Sequence, residues 1–418
     1  MDFDLSPAAA DLRDRAERFF TGRILPRHPE WQAWMRAHDA GDPPFLAELK
    51  AQAQAEGLWN LALPRLAADE PGTRCTNLEF AGVAEILGRL PWASEVFNCH
   101  APDVPNMEIL QAHATADQKR RWLQPLLNGE THSAFAMTEP DVASSDASNI
   151  ATAITRDGDH YVINGRKWFA SSGSRPDCSF LLLVGVTNPD APRTRRHSVV
   201  IVPTNTPGIT HLRDLPTFGH LDRVSPHPEL LFENVRIPVE NLLGAEGAGF
   251  AIGQGRLGPA RIHHCMRAIG ACEVLVALML QRVGRRQSFG RNLSEYSNIQ
   301  EWIALSRLEL ETSRLMVQKA AWALDRYGNK GARKEISLIK IGVARAYSYI
   351  ADRAVQIFGA MGATDDTPAA AAYTGSRLLR IYDGPDEVHH RTIFRFEAED
   401  AEQANRDLSA YLPNRPKR

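Results

Sequence analysis

The 418-residue sequence predicts an α+β, multidomain architecture of three consecutive blocks: helical, then mostly antiparallel β, then helical. Three observations carry that expectation. Helical segments fill the chain from about residue 4 to 130. Short β-branched and aromatic segments, separated by turn residues, run from Ser133 to Gly244, and long helical periodicity returns after Gly258-Pro259. Blocks segregated in this way point to separate layers or domains rather than an alternating βαβ sheet. The expected division is an N-terminal helical domain (1–132), a middle antiparallel β domain (133–243) and a C-terminal domain resembling a four-helix bundle (244–418).

Each element has a local reason. Ser6 and Pro7 suit an N-cap and a first helical turn. Helices are expected around 45–56, 77–88 and 117–127, broken by Pro64, Pro71-Gly72, Pro91 and Pro102. Strand candidates centre on Tyr161-Val162-Ile163, 180–186, 198–202 and 229–232, with Asp157-Gly158-Asp159 as a hairpin turn. Pro189 to Arg196 reads as a surface loop. Beyond it, Ile262, Cys265, Ile269, Cys272, Val276 and Met279 recur at helical spacing. Two more long helices are expected over 299–327 and 332–358, the second ended by Gly359.

Composition narrows the function. A hydrophobic content of 44% and a charged content of 23% are those of a globular protein. A net charge of −2 argues against a dedicated nucleic-acid binder, and only Pro413–Arg418 is clearly basic. No uninterrupted apolar run reaches bilayer length, so no membrane insertion is expected. The acidic start has no signal-peptide character, and the five cysteines form no CxxC pair; buried reduced thiols and a cytoplasmic location are the expectation. Gly253-Gln254-Gly255-Arg256-Leu257-Gly258 matches GxGxxG, but no buried strand precedes it, so it reads as a flexible lead-in to a helix with Pro259 near its first turn. His263-His264 and His389-His390 are adjacent pairs, which on a helix diverge by about 100° and cannot easily share one ion, so no metal is expected and these read as surface or pocket-lining histidines.

The chemistry-bearing stretches are Ala134-Phe135-Ala136-Met137-Thr138-Glu139-Pro140-Asp141-Val142-Ala143-Ser144-Ser145-Asp146 and Asn164-Gly165-Arg166-Lys167-Trp168-Phe169-Ala170-Ser171-Ser172-Gly173. The first is a loop rich in hydroxyls and backbone amides, and the second is a turn running into an aromatic pair. Such a pair suits a flat, heteroatom-rich ring, with donors at its edge and an aromatic side chain against its face. The two stretches resemble the flavin-binding signatures of the acyl-CoA dehydrogenase family, Thr-Glu-Pro…Ser-Asp and Asn-Gly-x-Lys-x-x-x-(Thr/Ser). The resemblance covers about residues 3 to 400.

It implies FAD as cofactor, contacted by Phe135, Met137, Thr138, Ser145, Phe169 and Ser171. It also implies α,β-dehydrogenation of an acyl-CoA thioester, with electrons passed to an electron-transfer flavoprotein. Arg380-Ile381-Tyr382-Asp383-Gly384-Pro385-Asp386-Glu387 resembles the turn that carries the catalytic base, with Asp383 at the glutamate's position and Pro385 at a threonine's. On the turn alone, Asp383 reads as a helix N-cap, and the flavin motifs upstream shift the reading to catalysis. Asp383 would take the α-proton, its backbone N–H and a ribityl hydroxyl would hold the thioester oxygen, and a dry pocket is expected to raise its pKa. Ser144, Arg261, Tyr382 and Gly384 are the implied substrate contacts. Some branches place a glutamate base before an arginine on the first long C-terminal helix; the matching position is Ala260, ahead of Arg261.

Arg286-Gln287-Ser288-Phe289-Gly290 resembles the Arg-x-(Thr/Ser)-Phe-Gly motif, and Val355-Gln356-Ile357-Phe358-Gly359-Ala360-Met361-Gly362 the Val-Gln-(Ile/Leu)-x-Gly-Gly-x-Gly segment. In the family these reach a neighbouring subunit's FAD, so Arg286, Phe289, Gln356 and Gly359 imply a homodimer or homotetramer. Ser297 stands where a cofactor-binding glutamine is expected. Gly-Arg-Leu-Gly-Pro-x-Arg-Ile-His-His and Asp-Gly-Pro-Asp-Glu-Val-His resemble a branch that in animals is fused to a kinase-like domain and linked to 4-hydroxy acid breakdown, which implies a free-standing relative of it. Within the same fold, the alternatives are a nitroalkane-oxidase-like flavin oxidase, which also uses an aspartate base, and an AidB-like flavoprotein that binds DNA.

Overall fold

The computed structural model describes residues 5–38, 41–406, 408 and 411, with Leu257 by its backbone alone. The basic stretch Pro413–Arg418 lies outside the described residues. Helices of ten or more residues in the first block are α1 (Pro7–Phe19), α2 (His28–Ala37), α3 (Phe45–Ala55), α4 (Asn77–Leu87) and α5 (Asp103–His113). Ser6 caps α1 by accepting the Ala9 N–H, with Pro7 in the first turn. Thr76 and Glu79 close a reciprocal capping box on α4. Asp325, from the last block, adds an acceptor to the same helix end by taking the N–H groups of Asn77 and Leu78 at 3.0 and 2.9 Å. A carboxylate at a helix N-terminus is favoured by the helix dipole, so this contact docks the first block on the third.

The middle block is one eight-stranded sheet: β1 (His132–Ala136), β2 (Ala153–Asp157), β3 (His160–Lys167), β4 (Cys178–Val186), β5 (His197–Pro203), β6 (Ile209–Asp214), β7 (Pro228–Pro238) and β8 (Leu242–Leu243). The β2–β3 hairpin turns at Gly158-Asp159, with Gly158 at φ 63. The pairing is antiparallel except around β4, where β1 runs parallel to it and β2 meets it in parallel at Ala153–Val186. Parallel neighbours need a long connection, and the chain between β1 and β4 supplies it as a loop plus the β2–β3 hairpin. Phe180, Leu182 and Val184 of β4 enter the helical core, while Leu181 and Leu183 point into a second cluster within the sheet block. Burial on both faces explains why β4 reads as an unbroken apolar run.

The last block holds α6 (Gly249–Arg285), α7 (Ser297–Gly331), α8 (Arg333–Phe358), α9 (Ala369–Leu379) and α10 (Asp386–Ala404). Here the sequence expectation needs correcting: Gly253, Gly255, Gly258 and Pro259 are not a lead-in but lie inside α6. Proline has no N–H for the carbonyl four residues back. Asn329 Nδ2 instead donates to the carbonyls of Gln254 (3.1 Å) and Gly255 (3.4 Å). Asn329 reaches them because α7 breaks at Gly328, whose φ is 67.

Helix α4 crosses α6 so closely that a Cβ on Gly88 would collide with the Arg267 main chain, and one on Gly270 with that of Glu85. α1, α4, α6, α7 and α8 therefore share one core. By length and composition α6 is apolar enough to cross a membrane, but 61% of its apolar window is buried inside the protein.

Candidate active site

A cavity of about 2520 Å³ is lined by all three blocks. Pockets for a single drug-sized ligand hold about 300–1,000 Å³, so this one has room for more than one. One wall is built by the two motif stretches, and they are locked together. Lys167 is 0% exposed, and its Nζ donates to Glu139 Oε1 at 2.7 Å and to Met137 O at 2.9 Å. Glu139 also accepts from the Ala151 N–H (2.8 Å), the Thr152 N–H (2.9 Å) and the Thr152 hydroxyl (2.6 Å). Burial brings Lys167 down to about 8 even with Glu139 beside it. The Thr138 hydroxyl donates to Trp168 O at 2.6 Å, and the Trp168 N–H returns a bond to Thr138 O at 3.0 Å. Glu139 and Lys167 thus act as a clasp between the loops rather than as ligands of the cavity.

The clasp leaves Phe135, Met137, Thr138, Ser144, Ser145, Trp168, Phe169 and Ser171 on the cavity wall. Phe169 is held at φ 50, with its ring 5.8 Å from that of His227, and His227 Nδ1 is 2.9 Å from Ser171 Oγ. A wall of hydroxyls and an indole fits the edge and face of a flavin ring.

The opposing chemistry sits in the turn between α9 and α10. Asp383 has φ 53 and Gly384 φ 100, and an aspartate in the left-handed region is costly unless its surroundings enforce it. Three helices do so. Lys340 of α8 donates to Leu379 O (2.6 Å) and Tyr382 O (2.8 Å). Arg261 Nε of α6 donates to Asp383 O (2.6 Å), and His389 Nε2 of α10 lies 3.4 Å from the same oxygen. Arg380 pairs with Asp386 at 2.8 Å across the turn. Pro385, not Asp383, occupies the cap position of α10, so the N-cap alternative falls. Asp383, Tyr382, Gly384, Arg261 and Ser144 all line the cavity, and Ala260 does too. Gly255, ahead of Arg256, also faces it and carries no carboxylate either.

The expected rise of the Asp383 pKa is not what these neighbours produce. Burial pushes the carboxyl up, but the His264 contact and the charges of Arg256 and Lys340 outweigh it and hold the group well below the usual carboxylate range. His389 falls to about 4 through burial and the nearby Arg261 and Lys340, so it stays neutral. Arg256, which the sequence reading did not single out, lies 4.3 Å over the Phe135 ring and donates to Asn106 Oδ1 at 3.1 Å. Of the adjacent histidine pairs, His264 and His389 line the cavity, whereas His263 is buried edge-on against Phe80.

A second charged cluster was also missed. Glu95 and His100 line the cavity. His100 Nδ1 lies 2.8 Å from Glu95 Oε2, and its Nε2 lies 3.0 Å from Asp103 Oδ2. His132 Nδ1 lies 2.6 Å from Asp103 Oδ2, and Lys50 pairs with Glu95. Burial opposes charge on His100, yet the two carboxylates raise it to about 9. No helical or strand periodicity links these residues, so the sequence held no signal for them.

Arg286, Phe289, Gln356 and Gly359 do not join the cavity. Phe289 and Gly290, at φ 50 and 79, form the two-residue tip of the hairpin Gln287–Ser288/Arg291–Asn292, with Phe289 98% exposed. Gln356 and Gly359 are exposed at the end of α8. Arg282 stacks on Phe358 at 5.5 Å, which brings the ends of α6 and α8 together at one surface.

Family models for the acyl-CoA dehydrogenase N-terminal, middle and C-terminal domains match residues 6–130, 134–235 and 247–397. The chain is 49% identical over 401 residues to "probable acyl-CoA dehydrogenase FadE2" of Mycobacterium tuberculosis, covering 95% of this chain and 97% of that protein. It is 45% identical over 393 residues to human acyl-CoA dehydrogenase family member 11, covering 92% of this chain but only 50% of the human protein. A solved structure named for an acyl-CoA dehydrogenase from Mycobacterium abscessus superposes with a TM-score of 0.90 at 43% identity, covering 95% of this chain and 100% of that one. Fold, motif loops and relatives converge: the chain belongs to the acyl-CoA dehydrogenase family, and is an oxidoreductase of it.

Proposed function

We propose that this protein carries out the FAD-dependent α,β-dehydrogenation of an acyl-CoA thioester to the trans-2-enoyl-CoA, with Asp383 taking the α-proton. The observation that carries the reading is the shared cavity: Asp383, in its enforced turn, lines the same space as Thr138, Ser145 and Trp168. Phe135, Met137, Thr138, Ser145, Phe169 and Ser171 would hold the FAD, which when bound supplies the acceptor for the β-hydrogen and its electron pair. An electron-transfer flavoprotein is the acceptor class this reading implies.

Asp383 is in the protonation state a base needs, since its neighbours keep it ionised. A carboxylate held in this way is a weak base, so the thioester must be made more acidic from the other side. The Asp383 N–H has no acceptor among the described residues, and it is placed to donate to the thioester oxygen as negative charge develops there. Arg261 fixes the Asp383 carbonyl, so the N–H and the side chain keep a set relation. Ser144 and Tyr382 flank the substrate's path.

Exposed Phe289, and a stripe of Leu308, Leu315 and Trp322 recurring every seventh residue on α7, support a homodimer or homotetramer. In it Arg286, Phe289, Gln356 and Gly359 would reach the partner's FAD.

Anaerobic titration with short, branched, long and aromatic acyl-CoAs, following the bleaching of the flavin band, tests the reading. Bleaching by one acyl class, lost in Asp383→Asn with FAD retained, is the expected result. FAD retained with no thioester bleaching it would overturn the dehydrogenase reading.

A further inference from the structure

One tie on the Asp383 turn reaches the carboxylate itself. His264 Nε2 lies 3.2 Å from Asp383 Oδ2. On the other side of the ring, Arg267 Nη2 lies 2.9 Å from His264 Nδ1. A guanidinium can only donate, so Nδ1 accepts and the ring proton of the neutral form sits on Nε2, towards the carboxylate. Burial lowers the His264 pKa and Arg267 adds to it, against the pull of Asp383, so the neutral form is favoured. Oδ2 is buried without a completed hydrogen bond, and Nε2 approaches it off the hydrogen-bond axis.

The support behind the ring is rigid. Tyr382 packs edge-on against it at 4.8 Å. The main chain of Arg267 is pressed against Gly88, where no side chain fits. Arg267 makes no ion pair with a carboxylate among the described residues; its other contact is Ser94 Oγ at 3.5 Å. Its charge is therefore not neutralised locally and acts on the ring and, through it, on Asp383. Aspartate is a methylene shorter than glutamate, so its reach into the cavity depends more on which oxygen is turned to the substrate.

We propose that His264, oriented by Arg267, is a positioning residue for the base: it donates Nε2–H to Asp383 Oδ2 and so turns Oδ1 to the α-proton. The inference rests on the dehydrogenase reading above. Other groups facing Asp383 are Arg256 and Arg261 from α6, Lys340 from α8 and His389 from α10. None of these groups is changed in the His264 variants, so a slower flavin reduction in them reports this one contact.

The experiment uses the FAD-loaded full chain and an acyl-CoA that bleaches it, with the limiting rate of flavin reduction and its half-saturation measured by anaerobic stopped flow at neutral pH. His264→Leu is expected to slow that rate about 10–100-fold. Half-saturation by the thioester should change less than about threefold, because the effect falls on the reaction step and not on binding. His264→Gln, which keeps a donor, restores most of the rate. Arg267→Met slows the rate in the same way, and in the His264→Leu background it adds nothing.

A His264→Leu protein with an unchanged rate would overturn the proposal, as would independent, multiplying losses from the two sites. If His264→Leu does not load FAD, the Gln and Arg267→Met variants carry the same test. Asp383→Asn separates the two ideas. Bleaching that survives in it removes the base assignment itself, whereas its loss alongside a silent His264→Leu removes only the positioning role.

Discussion

The cavity has two charged clusters on different walls, and they are built on opposite principles. Around Glu95 and Asp103 the carboxylates are met by Lys50, His100 and His132, with Arg175 behind them on Asp177 and Asp42. The backbone there donates normally, with the Ser133 N–H on Asp103 Oδ1 at 2.7 Å. Around Asp383, a single carboxylate is ringed by Arg256, Arg261, Lys340 and two neutral histidines, and the main chain is bent into the left-handed region. The first cluster spends its carboxylates on contacts that hold the blocks together. The second keeps an excess of positive charge and backbone strain, which a purely structural site has no reason to retain.

The comparison breaks most visibly at its two carboxylates. Asp383→Asn should lower the rate of flavin reduction by about 10²–10⁴-fold with little change in the unfolding midpoint, read by stopped flow and thermal melting. Asp103→Asn should do the reverse. Stripping a buried, fourfold-bonded carboxylate from its partners costs about 3–5 kcal/mol in urea unfolding, while the rate per folded, FAD-loaded molecule stays within about twofold. Equal effects on rate from both would end the distinction.

The pH dependence sharpens it. His100 is raised from 6.5 to about 9, so its contribution to stability is complete below pH 6.5 and is lost as pH climbs through 9. Unfolding free energy should fall by roughly 2–3 kcal/mol over that window, and His100→Gln should flatten the slope. A smaller effect is expected at Lys340. Lys340→Met leaves the Leu379 and Tyr382 carbonyls without their donor, at about 1–3 kcal/mol, and should slow flavin reduction while leaving the His100 slope unchanged.

The two clusters also differ in how far they could be read from sequence. The motif loops were legible because hydroxyls, glycines and paired aromatics stand close together along the chain. The turn at Asp383 was legible through its neighbours Tyr382 and Gly384. His264 and Arg267 escaped because attention to Ile262, Cys265, Ile269 and Cys272 follows the core stripe of α6. The opposite stripe, Arg256, Ala260, His264, Arg267 and Ala271, recurs at the same helical spacing and lines the cavity. Reading both faces of that helix would have found them. Glu95, His100, Asp103 and His132 meet only when α5, β1 and the segment before α5 are packed, which no local pattern encodes. Pro259 was misplaced for a similar reason: the Asn329 side chain that lets the helix run through it comes from α7, 70 residues on.

The core shared by the first and third blocks bears on how the chain is made. α4 leaves the ribosome well before α6 and α7, the long helices it packs against. Translation at roughly 5–20 residues per second separates these events by on the order of ten seconds or more. Throughout that interval Phe80, which meets the His263 ring of α6, has no partner from the last block. The packing of the nascent N-terminal third is therefore completed from the C-terminal side.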